Sequence, residues 1–196
     1  MAGVYLQNHF TPEVRDAQEH YYGRARVLLP QPPRDALTAE EIEFIAQRDS
    51  FYLATVSSNG WPYIQHRGGS PGFLKVIESN VLAFADYPGN RQLLSTGNVV
   101  GNDRVALFLM DYPRRERLKI MGHARVLDAR EHAELAAQVA APESPTPVER
   151  IFRVEVVSYD WNCPKHITPR FTEEEVRKAT EPLLKRIREL EEKLRR

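Results

Sequence analysis

The run HRGGSPGFLK at residues 66–75 breaks a strand-rich region with three glycines and a proline, and brackets the break with Arg67 and Lys75. A surface loop needs only polar residues. Two cations beside backbone with little side-chain cover point instead to an anion close against the chain. The next strand-like run ends in DYPGNRQLLSTGN, where Asn90, Arg91 and Gln92 follow a turn glycine and open a short helical segment. Backbone N–H groups at a helix start, with an arginine beside them, make a phosphate site. Arg117 lies one hairpin later, in RRERLKIMG. Each of these residues alone is more often a solvated surface charge than a ligand. Their recurrence at successive strand ends is what favours a shared anion site.

Other chemistries find less support. His9, His20, His66, His123, His132 and His166 are scattered, and none has a neighbour at a recognised metal-ligand spacing. No G-x-S-x-G nucleophile elbow is present. The glycines of RGGSPG do not form GxGxxG, and no helical pattern follows them. His66 and His166 are the candidates for acid–base work, although a structural hydrogen bond is the commoner role for either. No catalytic residue is assigned.

The elements that must hold these side chains are legible from periodicity. Thr11, Pro12 and Glu13 open a helix over 11–26, and TAEEIEFIAQRD opens a second with a capping box from Thr38 to Glu41. From residue 51 the period changes to two. FYLATVSS and WPYIQHR flank Asn59-Gly60, and FLKVIE and VLAFADY flank Ser79-Asn80, so two hairpins are expected. RVALFLMDY, ERLKIMGHARVLD and ERIFRVEVVSYDW read as further long strands, with an alanine-rich helix at 130–140 before the last. Short turns between strands predict a mainly β, α+β fold: a six-stranded antiparallel barrel with flanking helices and a C-terminal helix. Residues 1–37 form an N-terminal helical extension, 38–171 the barrel, and 172–196 an amphipathic helix. In that tail Leu183, Ile187, Leu190 and Leu194 follow the four-three spacing of a coiled-coil seam, which suits either a partner helix or the chain's own barrel.

With 27 basic and 27 acidic residues the formal net charge is zero, which removes the global field that would hold nucleic acid or an anionic membrane. Cys163 is the one cysteine, so no intrachain disulfide can form. Neither a signal-peptide pattern nor a membrane-length apolar run is visible, and a soluble cytoplasmic protein is the expectation.

Residues 38–171 resemble the FMN-binding split barrel of the pyridoxamine 5′-phosphate oxidase superfamily. Family members carry R-x-V-L-L-K, then a strand ending F-Y-T-N-x-x-S-R-K-A; this chain has FLK at 73–75 and FADYPGNRQL at 84–93. The Lys75-to-Arg91 interval matches the family's. Arg91 and Gln92 fall on its Arg-Lys pair, and Ala85 and Asp86 on its Tyr-Thr pair. Arg117 falls on the flavin-touching glutamine of E-R-Q-V-x-V-x-G when Gly122 is aligned. WNCPKHITPR, from Trp161 through His166 to Arg170, is similar to the segment whose Trp and Arg contact the flavin. Without the resemblance, the same segment reads equally well as a proline-pinned loop whose Trp buries apolar area.

The resemblance implies bound FMN, a homodimer with the cofactor at the subunit interface, and a small-molecule substrate or reduced nicotinamide. Trp161, His166 and Arg170 would then reach across from a partner chain, Arg91 would hold the phosphate, and Lys75 or Arg117 would stabilise the charge of reduced flavin near N1. The glycines of residues 68–72 would let the flat ring approach the backbone. Three departures qualify the match. Placing Arg67 on the family arginine requires a three-residue insertion, and Gln92 and Asp86 replace a lysine and a threonine. The Tyr…Arg…Ser set that holds a substrate phosphate has no counterpart in DAREHAELAAQVAAPESPTP. Vitamin B6 oxidation is therefore not expected. Two readings remain: an FMN-dependent oxidoreductase, or a non-catalytic flavin-binding or sensor module. Haem or deazaflavin is less favoured than FMN, whose terminal phosphate suits Arg91.

Overall fold

The computed structural model describes residues 3–161 and 165–195. Its centre is one antiparallel sheet of seven strands: β1 (Ser50–Val56), β2 (Pro62–Gly68), β3 (Lys75–Glu78), β4 (Val81–Asp86), β5 (Arg104–Asp111), β6 (Glu116–Asp128) and β7 (Arg150–Trp161), in the order β2-β1-β5-β6-β7-β4-β3. This corrects the expected six-stranded barrel. Each of the seven strand-like runs in the sequence forms a strand, the run at 73–78 a short one, and no hydrogen-bonded ladder joins the edge strands β2 and β3. The two ends of the sheet instead meet through side chains. Phe51 of β1 lies edge-on to Phe84 of β4 at 5.2 Å, although three strands separate them in the ladder order, and Phe84 stacks on Phe152 of β7 at 5.0 Å.

Alternation explains which face is core. Along β1, Phe51, Leu53 and Thr55 are buried whereas Tyr52 is exposed. β5 repeats the pattern with Val105, Leu107 and Leu109 inward. β2 has no fully buried residue and starts on Pro62, as suits an edge strand. The longest ladder joins β6 to β7, and its register shifts between Met121 and Gly122. Only glycine fits there: a Cβ on Gly122 would stand 2.5 Å from the Glu155 carbonyl oxygen.

The described residues also form six helices. α1 (Gly3–His9), absent from the sequence reading, tucks Val4 into the body and packs along β7. α2 (Pro12–Tyr22) is capped by Thr11 and ends at Gly23, earlier than residue 26. α3 (Ala39–Ala46) has the expected capping box, with the Thr38 N–H donating to Glu41 at 2.9 Å. α4 (Leu94–Gly101) and α5 (Ala133–Val139) are short, and α6 (Glu173–Leu194) forms the tail. Among the described residues, no helix is long and apolar enough to cross a membrane, and no group of His, Cys, Asp and Glu is placed to hold a metal.

The loop after β2 owes its glycines to packing. Gly72 has φ +79°, donates its N–H to the Arg48 carbonyl at 3.0 Å, and leaves no room for a side chain against the Ala46 carbonyl at the end of α3. The space a side chain on Gly69 would need is filled by Phe73. The expected ring-facing surface is therefore occupied at these two positions by the chain itself.

Candidate functional site

The end of β4, the turn after it and the start of α4 enclose a pocket of about 220 Å³ against β2. β2 presents Tyr63, Gln65 and Arg67 to it, while the intervening Ile64 and His66 are exposed. Asp86, at the C-terminal end of β4, forms part of the floor and is 7% exposed. Each of its oxygens is held by an arginine: Arg67 donates from Nη1 to Oδ1 at 2.6 Å, and Arg150 donates from Nε to Oδ2 at 2.8 Å. Arg150 is placed there because it opens β7 directly opposite Asp86 in the ladder. Burial opposes its charge, but the hydrogen bonds and charges of Asp86 and Glu149 outweigh that and raise its pKa above the ordinary guanidinium value. Arg67 stacks near Phe152 and Phe84, at 5.2 and 5.6 Å, and its buried Nε has no partner among the described residues.

The opposite wall is the turn Gly89–Thr96. Asn90 Oδ1 accepts the Gln92 N–H at 3.1 Å, fixing the bend. Arg91 and Leu93 both hold left-handed backbone, with φ 61° and 52°. For side chains with a Cβ that costs about 1–2 kcal/mol each, and such strain collects at ligand clamps. Leu93 occupies the N-cap position of α4, where no side chain caps the helix. The first N–H groups of α4 are thus left for a ligand or solvent. Ser95, buried in this first turn, donates to Gln65 at 2.8 Å and ties α4 to β2. No described residue pairs with the guanidinium of Arg91. Arg67, Arg91 and Arg150 face the carboxylate of Asp86, and Glu149 pairs with Arg150 at 2.8 Å from outside the lining, so the group keeps one net positive charge.

Of the residues singled out by sequence, Arg67, Asp86, Asn90, Arg91 and Gln92 share this pocket. Lys75, at the start of β3 opposite Ala83, does not line it. Arg117 lies on β6, 5.9 Å above the Phe108 ring. Trp161 ends β7 against α3: its Nε1–H donates to Glu41 at 2.7 Å and its ring meets Phe44 edge-on at 4.7 Å. The buried Glu41 feels burial pushing its pKa up, but hydrogen bonds from Thr38 and Trp161 win and hold it below 4.5. Arg170 caps the Tyr112 ring at 5.0 Å, and His166 stands exposed in a left-handed turn. Residues 162–164 of WNCPKHITPR lie outside the described residues. Within one chain, then, five of the candidates share the pocket, whereas Lys75, Arg117, Trp161, His166 and Arg170 do not line it.

Sequence reasoning missed Arg150, Tyr63, Gln65 and Ser95. For Tyr63 and Gln65 the signal was present, since both alternate with Ile64 in the same strand as Arg67. Arg150 carried no local signal, because its partner Asp86 is 64 residues away.

These features define an antiparallel-sheet protein with a cationic pocket at the head of a short helix. The pyridoxamine 5′-phosphate oxidase family matches the sequence over residues 37–159, and the chain belongs to that family. HupZ from Group A Streptococcus is similar in structure, with 15% identity, 69% of this chain and 99% of that one covered, and a TM-score of 0.53. A pyridoxamine 5′-phosphate oxidase-type protein from Lactobacillus delbrueckii covers 64% of this chain and 93% of its own, at 18% identity and a TM-score of 0.50. At such identities these structures speak to the fold alone. No curated protein matches the sequence.

Proposed function

We propose that the protein binds FMN, with the phosphate in the pocket of Arg67, Arg91 and Arg150, and acts as an oxidoreductase on a small substrate or a reduced nicotinamide. The observation that carries this reading is the convergence of three guanidiniums on an uncapped helix start, in a chain of a flavin-associated family. Arg91, whose guanidinium has no partner among the described residues, stands beside the uncapped start of α4 and suits a phosphate. Asp86 acts through its neighbours, holding Arg67 and Arg150 in place rather than touching the anion. The turn of Asn90 and Gln92 sets the backbone.

The pocket is smaller than the roughly 300–1,000 Å³ that encloses a whole ligand. It therefore suits the phosphate end of the cofactor, and the ring system lies beyond it. A homodimer would supply the missing wall. The outer face of β1, β2 and β5 carries the exposed Tyr52 and Ile64 beside the half-buried Phe108, an apolar surface of the kind that subunits cover. In that dimer Arg117, Trp161, His166 and Arg170 approach the cofactor from the second copy. Lys75 is the residue for the N1 side of the flavin.

When bound, the flavin supplies hydride or single-electron transfer, and the protein contributes binding, orientation and electrostatic tuning. Anaerobic addition of NADH or NADPH to the FMN-loaded protein should bleach the flavin absorbance in a single catalytic cycle, restored by oxygen. A loaded protein that neither nicotinamide nor a photoreduced donor can cycle would instead be a binding module.

A further inference from the structure

The tail helix α6 stands apart from the body, with none of its residues buried. It is well made as a helix. Thr172 and Glu175 form a capping box, Glu174 pairs with Arg177 and Lys178, and Arg186 pairs with Glu189. Yet Val176, Leu183, Ile187, Leu190 and Leu194 lie 44–87% exposed. Thr180 completes their spacing, which alternates four and three over the whole helix. Written as a heptad, Thr180, Ile187 and Leu194 take position a, and Val176, Leu183 and Leu190 take d. The opposite f positions hold Lys178, Lys185 and Glu192. Pro182 falls at c, on the outer side, and the helix runs through it.

We propose that α6 pairs with α6 of a second copy as a parallel two-stranded coiled coil. Two of the three a residues, Thr180 and Ile187, are β-branched and two of the three d residues, Leu183 and Leu190, are leucine, the pattern that favours two parallel strands. In that register Arg186, at g, faces Glu191 of the second copy, at e, and symmetry repeats the attraction. Ala179 and Leu184, the other facing g and e residues, widen the apolar seam. An antiparallel pair would align the same core layers and bring Arg177 to Glu191 of the second copy, but it would also set Arg186 against Arg186, a repulsion the parallel pair lacks. The seam spans just under three heptads, short of the three to four that hold alone. Its affinity therefore rests on the body homodimer proposed above, which raises the effective concentration of the second helix to about millimolar.

The test uses the full chain with Cys163→Ser. A Leu190→Cys change places thiols face to face across the seam, whereas Glu192→Cys places them on the far side. Mild oxidation should turn most of the Leu190→Cys chain into a disulfide-linked dimer and leave the Glu192→Cys chain unlinked. Equal linking of both, or linking of a Thr180→Cys/Leu190→Cys double variant without linking of Leu190→Cys, overturns the parallel coiled coil. Light scattering separates this from the body dimer. A dimeric mass with no linking at 190 overturns the coiled coil alone. Linking at 190 together with a monomeric Leu183→Glu/Leu190→Glu variant supports the coiled coil and overturns the body dimer.

Discussion

Arg91→Ala should weaken FMN retention by roughly ten- to a hundredfold, the worth of about 1.5–3 kcal/mol for hydrogen bonds to a charged group. The guanidinium of Arg91 is exposed at the pocket, with no described partner to lose, so the substitution removes a ligand contact without breaking an internal one. Alanine retains the Cβ, so the left-handed strain at this position is unchanged and the fold should keep its stability. Arg130→Ala is the matched control. Arg130 is exposed, pairs with Asp128 two residues before it, and does not line the pocket. Flavin titration by fluorescence quenching gives both affinities. Equal retention by the two variants would remove Arg91 from the site.

Asp86→Asn should act on stability before it acts on ligand. The carboxylate neutralises Arg67 and Arg150, whose side chains are 15% and 21% exposed. Removing it leaves Arg67 with no carboxylate partner among the described residues and Arg150 with Glu149 alone, with little water to screen either. Breaking a buried pair from one side costs about 3–5 kcal/mol, and the partial exposure of both arginines puts this case near the lower end. Asp128→Asn removes the carboxylate of the exposed pair with Arg130, and should cost less than about 1 kcal/mol. Denaturant midpoints at unchanged slope separate the two. A midpoint for Asp86→Asn no lower than that for Asp128→Asn would mean that the arginines are held by something else.

The contrast between Arg91 and Arg150 shows how much of the site the sequence exposed. Arg91 announces itself locally: it follows a turn glycine, stands beside two amide side chains, and precedes a short helix. Arg150 opens an ordinary strand, and its place in the pocket depends on the pairing of β4 with β7. Such a contact belongs to topology, which periodicity does not encode. Asp86 was visible as a departure from the family pattern, but its role depends on two arginines from different strands. The glycines of residues 68–72 mislead for a related reason. Missing side chains signal close approach of something, and here the neighbours at Gly72 and Gly69 are the end of α3 and Phe73.

The fold was more legible. Alternation marked β1, β2, β5, β6 and β7, turn residues marked the β3–β4 hairpin, and the Thr38–Glu41 capping box marked the start of α3. The count of six fell one short of the seven strand-like runs, all of which form strands, and the closure failed because β3 pairs only with β4 and leaves an open edge. α1 escaped notice because seven residues give too few turns for a helical period to show.

The central claim is that this pocket holds a phosphate on the end of a flavin. Parallel titrations of the ligand-free protein with FMN and with riboflavin, which differ by that phosphate, test it directly. FMN should bind about a hundredfold tighter or more, given several charge-assisted contacts to the dianion. Equal affinity for the two, or binding of neither, would contradict it.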